Sequence, residues 1–174
     1  MKDRAPAPGG LALVQALVNT LNLESGADAL DTEAGRDAFG LAPQDVDAAR
    51  ALRESLRAAC LAHAGHPAHE PVRDLGELLA GGPLLVEVDG ATGAASLVPA
   101  DASALTARVA AAIAEALVAG TWLRLKACEA VTCHWAYYDR SPAGRSRWCD
   151  MGVCGARAKM RAYRARKAAP GTSP

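Results

Sequence analysis

Four cysteines stand within 27 residues near the C-terminal end of the chain, and no other feature constrains it as much. They are spaced Cys128-x4-Cys133, fifteen intervening residues, then Cys149-x4-Cys154. A tetrahedral all-thiolate site needs two close pairs, each on its own turn, and a chain excursion that folds one pair back on the other. Soft thiolates select zinc, which has no redox chemistry of its own. With cysteine in all four positions no coordination position stays open, so the expected ion is a single structural Zn2+ and not a hydrolytic one. The competing reading is four buried apolar cysteines; the lone Cys60 in the first 123 residues makes such clustering by accident a poor account. His134 follows Cys133 directly and offers an alternative ligand, although an exposed strand position is the reading preferred for it. His63, His66 and His69 form a second possible metal set, read instead as a polar linker, and Cys60 is read as a core residue.

An odd cysteine count with one tight cluster does not resemble a disulfide framework. Lys2, Arg4 and the apolar Leu11–Val18 run imitate the start of an export signal, but Gln15 interrupts the run and no small-residue cleavage site follows. No stretch reaches about 18 uninterrupted apolar residues, so no membrane span is expected. A reducing cytoplasm follows, where clustered cysteines serve metals or catalysis.

Apolar residues make up 51% of the chain and aromatics only 4%, so Leu, Val and Ala must build the core. Residues 1–10 read as a flexible arm, and helical periodicity marks 11–22. A longer helix runs from Ala42-Pro43 to about Ala64, with Val46, Ala49, Leu52, Leu56 and Ala59 inward and Arg50, Arg53 and Arg57 as a solvated stripe. Residues 63–71 read as a loop, and Leu75, Leu78 and Leu79 mark a short helix ending at Gly81-Gly82. Residues 84–88 and 94–98 read as a β-hairpin turning at Asp89-Gly90 and Gly93. Asp101 is placed to N-cap a helix that carries Leu105, Val109, Ile113 and Leu117 inward and stops at Gly120.

The cysteine region continues this pattern. Trp135 to Tyr138 is strand-like, residues 139–144 are a turn, and Arg147-Trp148 leads back to the second pair. Ala156 to Lys167 has neither Gly nor Pro and reads as a helix with Cys154 near its N-terminus. Met160 and Tyr163 are expected to pack back near Trp148 or Val153. The expected fold class is α+β: a mainly helical N-terminal domain with a β-hairpin or small sheet, then a treble-clef-like four-cysteine zinc module ending in a basic helix. The divisions are an arm at 1–10, an α+β domain at 11–122, a zinc finger at 123–168 and a disordered tail at 169–174. A module this small lacks the core to fold unaided, which couples its folding to metal.

Zero net charge hides an asymmetry. Residues 1–123 hold eight Lys/Arg against sixteen Asp/Glu, whereas 124–174 hold eleven against three. The final helix bears Arg157, Lys159, Arg161, Arg164, Arg166 and Lys167 without an acid, and Arg140, Arg145 and Arg147 add charge ahead of it. Such a surface suits phosphate contacts, and such a helix fits a major groove. The plainer alternative is a solvated tail, or one that docks on the acidic N-terminal body.

The runs Cys128-Glu-Ala-Val-Thr-Cys133-His-Trp-Ala-Tyr-Tyr-Asp139-Arg-Ser and Arg147-Trp148-Cys149-Asp-Met151-Gly-Val-Cys154-Gly155-Ala156-Arg157-Ala-Lys159 resemble the CGNR zinc-finger family. Leu17-Val18-Asn19-Thr20 resembles the early signature of its companion ABATE domain, described as a stress-induced transcription regulator. The resemblance implies zinc on Cys128, Cys133, Cys149 and Cys154 and a DNA-binding role. It departs from the family at Ala156, where the name-giving motif has Asn, and at Tyr137, where Phe is usual.

The expected function is therefore a zinc-dependent DNA-binding transcription regulator whose N-terminal domain meets an unidentified ligand or protein. The alternatives are a zinc-scaffolded protein-interaction adaptor and a thiol redox sensor. No paired acid and base, nucleophile–base arrangement or phosphate loop is present in the sequence, so an enzyme is not expected.

Overall fold

A computed structural model describes residues 5–168; the expected tail at 169–174 and the first four residues of the expected arm lie outside the described residues. Helix α1 (Leu11–Val18) is apolar on nearly every side and buries Leu11, Val14, Leu17 and Val18. It is shorter than the periodicity suggests. Beyond it Leu21 forms an antiparallel bridge to Asp28, and a turn closes through Asn22 N–H to Ala27 O at 2.9 Å. Ahead of it, Gly10 lies so close to Ala112 that a Cβ there would stand 2.7 Å from the alanine Cβ, so only glycine permits this approach. Ala7 is buried and donates its N–H to Gln15 Oε1 at 2.7 Å.

Short α2 (Glu33–Asp37) is N-capped by the Thr32 hydroxyl, which accepts from Gly35 N–H. A 3-10 turn at Pro43–Asp45 opens α3 (Val46–Ala62), whose apolar face buries Leu52, Leu56, Cys60 and Leu61. Complete burial of one such leucine contributes roughly 1.5–3 kcal/mol. Arg50 alone among the expected stripe lies toward solvent. Arg53 is 4% exposed and Arg57 fully buried, because Asp28, Glu54 and backbone carbonyls from distant segments supply the partners that water would otherwise provide.

Helix α4 (Leu75–Leu79) is capped by Asp74 and leads to the hairpin β1 (Leu84–Val88) and β2 (Ala95–Pro99), with Leu84 opposite Pro99 and Val88 opposite Ala95. Asp101 does not cap α5 (Leu105–Val118). It accepts from Ser103 N–H and Oγ within its own turn, and Ala104 occupies the cap position. Leu117 is 59% exposed although it continues a four-residue row from Leu105 that the sequence places inward. Each four-residue step drifts by about 40° on a helix of 3.6 residues per turn, so three steps carry Leu117 off the buried face, and Ala116 takes its place.

A second two-stranded sheet, β3 (Leu125–Ala127) and β4 (Ala136–Tyr138), joins this body to the cysteine region. Leu125, Ala127 and Ala136 belong to the same hydrophobic core as α1, α3 and α5. The architecture of the described residues is thus α+β with two small antiparallel sheets. The last element, α6 (Ala156–Ala168), packs chiefly on the turn before it, and Met160 and Tyr163 are 52% and 54% exposed. Met160 shares a groove with Val153, but neither side chain is buried, because a helix so rich in Arg and Lys has no apolar stripe to bury. Among the described residues no helix is long and apolar enough to cross a membrane.

Candidate metal centre and basic helix

The hairpin that holds the first cysteine pair differs from the one the sequence suggests. β4 does not return toward Arg147-Trp148; it pairs with β3, so Cys128 and Cys133 lie on the loop joining these two strands. Cys128 N–H continues the ladder to Trp135 O at 3.0 Å. Cys133 N–H closes a turn on Ala130 O at 2.8 Å. The second pair arrives by a separate route, since Glu129 N–H bonds Arg147 O at 3.0 Å and carries Trp148-Cys149 alongside the first.

Cys154 sits in a wide helical turn (Met151–Gly155) that runs into α6. Asp150 starts this turn, its carboxylate accepting from Gly152 N–H at 2.7 Å and Val153 N–H at 3.0 Å. The helix entry is therefore capped without the family Asn at position 156. Gly155 is tightly enclosed: a Cβ there would stand 3.1 Å from the Met151 sulfur and 3.2 Å from Trp148.

All four Sγ atoms lie within 4.8 Å of one another. Cys133 and Cys149 are 3.6 Å apart and Cys149 and Cys154 3.8 Å apart. A tetrahedron with Zn–S bonds of about 2.3 Å has edges of about 3.8 Å, so the donor set fits the ion. Three of the four residues are buried and Cys133 is partly so. Hydrogen bonds from Cys133 and Cys149 draw the Cys128 thiol well below its ordinary range. Cys133 and Cys149 are pushed up in return, chiefly as hydrogen-bond partners of Cys128, and Cys154 is raised by burial and then by the Cys128 charge. The sulfurs cannot all ionise together unless a cation offsets their repulsion. The arrangement is a site suited to one zinc ion held by Cys128, Cys133, Cys149 and Cys154.

His134 is neither exposed nor in a strand. It is 8% exposed, its backbone adopts the left-handed φ of 43°, and its Nδ1 lies 3.0 Å from Cys128 O. Burial draws its imidazole below the usual range. The other histidines separate: His63 Nδ1 contacts Leu125 O at 2.7 Å, His66 approaches Glu129, and His69 contacts Glu54 at 3.1 Å. Glu54, His69 and Glu70 cluster, but both Glu54 oxygens already accept from Arg53 and Arg57.

Asp139 is a buried hub of the intervening loop that its sequence reads only as a turn residue. It accepts from Ser141 N–H at 3.0 Å, Ser141 Oγ at 2.7 Å, Ser146 N–H at 2.9 Å and Lys126 Nζ at 3.1 Å. These bonds outweigh its burial and hold the carboxyl well below the usual range. An Asp-x-Ser turn signal was legible, but its bond to Lys126 across the sheet was not.

The basic residues divide into two groups. Arg140 donates to Pro6 O and stacks over Tyr138, Arg147 forms a bidentate pair with Glu129 and stacks on Trp148, and Arg157 pairs with Glu24 at 2.9 Å. Arg145, Lys159, Arg161, Arg164, Arg166 and Lys167 are exposed and form no ion pair among the described residues. Arg157, Arg161 and Arg164 line one shallow groove with Gly152, Val153 and Met160. No curated protein matches the chain. Residues 124–167, which hold β3, β4, all four sulfur donors and all but the last residue of α6, match the family described as the CGNR zinc finger.

Proposed function

We propose that this chain is a zinc-dependent DNA-binding protein acting as a transcription regulator in the cytoplasm. The supporting observation is the surface of α6, where Arg161 and Arg164 stand exposed on one groove with Arg157, anchored at one end by Cys154. Zinc orders the cysteine loops, and the helix that leaves them presents a rigid row of guanidinium groups to phosphate. Arg140, Arg145 and Arg147 on the intervening loop and Lys159, Arg166 and Lys167 on the helix add to this positive charge. The N-terminal body then serves sensing or assembly, the role suggested by its resemblance to the ABATE domain.

Duplex binding measured at several salt concentrations tests the reading. Log affinity falls with log salt in proportion to the phosphates neutralised, about 0.9 per contact. Replacing Arg161 and Arg164 together by Ala should weaken binding and reduce the slope by about two. Absence of duplex binding at low salt, or an unchanged slope in the double variant, rejects it.

The second reading, a protein-interaction adaptor, is favoured by an apolar groove of about 750 Å³ on the body, lined by Leu13, Val86, Leu97, Ala111, Ala114 and Val118 among others. A purified chain that binds no duplex but retains a protein partner after nuclease treatment, and loses it in a Val86→Asp variant, would favour that reading.

A further inference from the structure

The first cysteine pair is held from outside its own loop. Arg57 on α3 is fully buried, and burying a guanidinium is costly unless its donors are met. Its Nη1 donates to His134 O at 3.0 Å, its Nη2 to Val18 O at 2.8 Å, and its Nε to Glu54 at 2.8 Å. His134 is the residue after Cys133, and its ring contacts the carbonyl of Cys128 at 3.0 Å. One left-handed residue thus links the guanidinium of the body to both ends of the cysteine loop. At the end of α1, Asn19 acts on the same segment two residues later. Its Oδ1 accepts from Ala136 N–H at 2.7 Å and its Nδ2 donates to Ala136 O at 2.9 Å, so its amide imitates a neighbouring strand along β4. The contacts span 77 and 117 residues of sequence.

We propose that Arg57 and Asn19 are positioning residues for the zinc site, which set the Cys128–Cys133 loop in its ligating geometry and thereby control how long the metal is retained. Groups that orient metal ligands through intervening hydrogen bonds typically change metal affinity by one to two orders of magnitude when removed. Arg57 and Asn19 do so through the backbone of the loop and not through the sulfur atoms themselves. The finger is consequently not an independent unit: its metal retention is a property of the whole chain. This inference rests on the metal site and is independent of the nucleic-acid reading; a full-length chain that bound no zinc would defeat it before any variant was compared.

The test is zinc transfer from the full-length, zinc-loaded protein to an excess of chromophoric chelator. Arg57→Lys keeps the charge but cannot span Val18 O, His134 O and Glu54 at once, and should release zinc about 10–100-fold faster. Asn19→Ala should accelerate release severalfold, in the range of one lost, partly buried bond pair. Ser55→Ala is the control. Ser55 lies on the same helix and its hydroxyl donates to Arg73 O at 2.8 Å, away from the cysteine loop, so its release rate should match the parent's. Cobalt-substituted protein reads the geometry directly: the ligand-field bands should shift in Arg57→Lys and stay in place in Ser55→Ala. Folded Arg57→Lys and Asn19→Ala proteins that release zinc at the parent's rate would overturn the proposal. Equal acceleration in Ser55→Ala, or cobalt bands identical across all variants, would overturn it as well. Should Arg57→Lys not fold, Asn19→Ala against Ser55→Ala decides the matter.

Discussion

Replacing Asp139 by Asn should destabilise the zinc-loaded protein by about 3 kcal/mol, near the lower end of the 3–5 kcal/mol typical of a broken buried ion pair. The substitution preserves size and removes both a charge and an acceptor. One carboxylate oxygen receives the Ser141 N–H and hydroxyl, and an amide oxygen can still serve them. The other receives Ser146 N–H and Lys126 Nζ. An amide NH2 placed there would point donors at donors. Lys126 is 7% exposed and would keep only Gly144 O as an acceptor among the described contacts, which is why the lower end of the range applies. In urea, with a slope of about 2 kcal/mol/M, the midpoint should fall by roughly 1.5 M. The sign with pH follows from the depressed carboxyl. Its stabilising effect is complete above the unfolded-state value of about 3.9 and fades only as pH falls toward the lower folded value. The gap between parent and variant should therefore be constant from about pH 6 to 8. Adding Lys126→Met to Asp139→Asn removes the stranded charge and should recover part of the loss. A midpoint shift below about 0.5 M, or a double variant no more stable than Asp139→Asn, would refute this account of the loop.

Two further outcomes follow from burial and metal coupling. Cys60 is fully buried and its thiol is pushed up to about 12 by desolvation, so it stays protonated at pH 8 and should resist alkylation in the native zinc-loaded protein; labelling at the rate of a free thiol would contradict that. The small cluster around the sulfurs contains chiefly Ala130, Trp135, Tyr137 and Trp148, so zinc removal by a strong chelator should abolish amide-exchange protection in the two cysteine loops, about residues 128–134 and 148–156, and spare β4, which the body's core holds. Protection there that survives chelation would mean the loops hold without metal.

The cysteine positions were legible because a tetrahedral ion imposes spacing on the chain that carries its ligands. Helices α1, α3, α4 and α5, the 84–99 hairpin and the basic terminal helix were legible from periodicity and turn residues for similar reasons, all of them local, whereas α2 (Glu33–Asp37) carried no apolar period to mark it. What escaped was set by distant partners. Periodicity alone put Arg53 and Arg57 on a wet face, whereas Asp28, Glu54, Val18 O and His134 O enclose them. Asn19 stood out only as part of a family signature; its use lies on Ala136, far along the chain. Asp139 and Lys126 meet across the β3–β4 pair, which the sequence does not announce, because aromatic strand character in Trp135 to Tyr138 says nothing about which neighbour it takes. The bias of the basic surface was readable as a total, but its division into paired and exposed residues depends on Glu24 and Glu129.

Metal content per chain bears most directly on this account. Purified, reduced full-length protein should contain one zinc ion per chain, and Cys149→Ser should lose it together with the order of the two cysteine loops. A parent protein that is metal-free yet fully folded through α6, or a Cys149→Ser variant that retains stoichiometric zinc, would contradict the four-sulfur site.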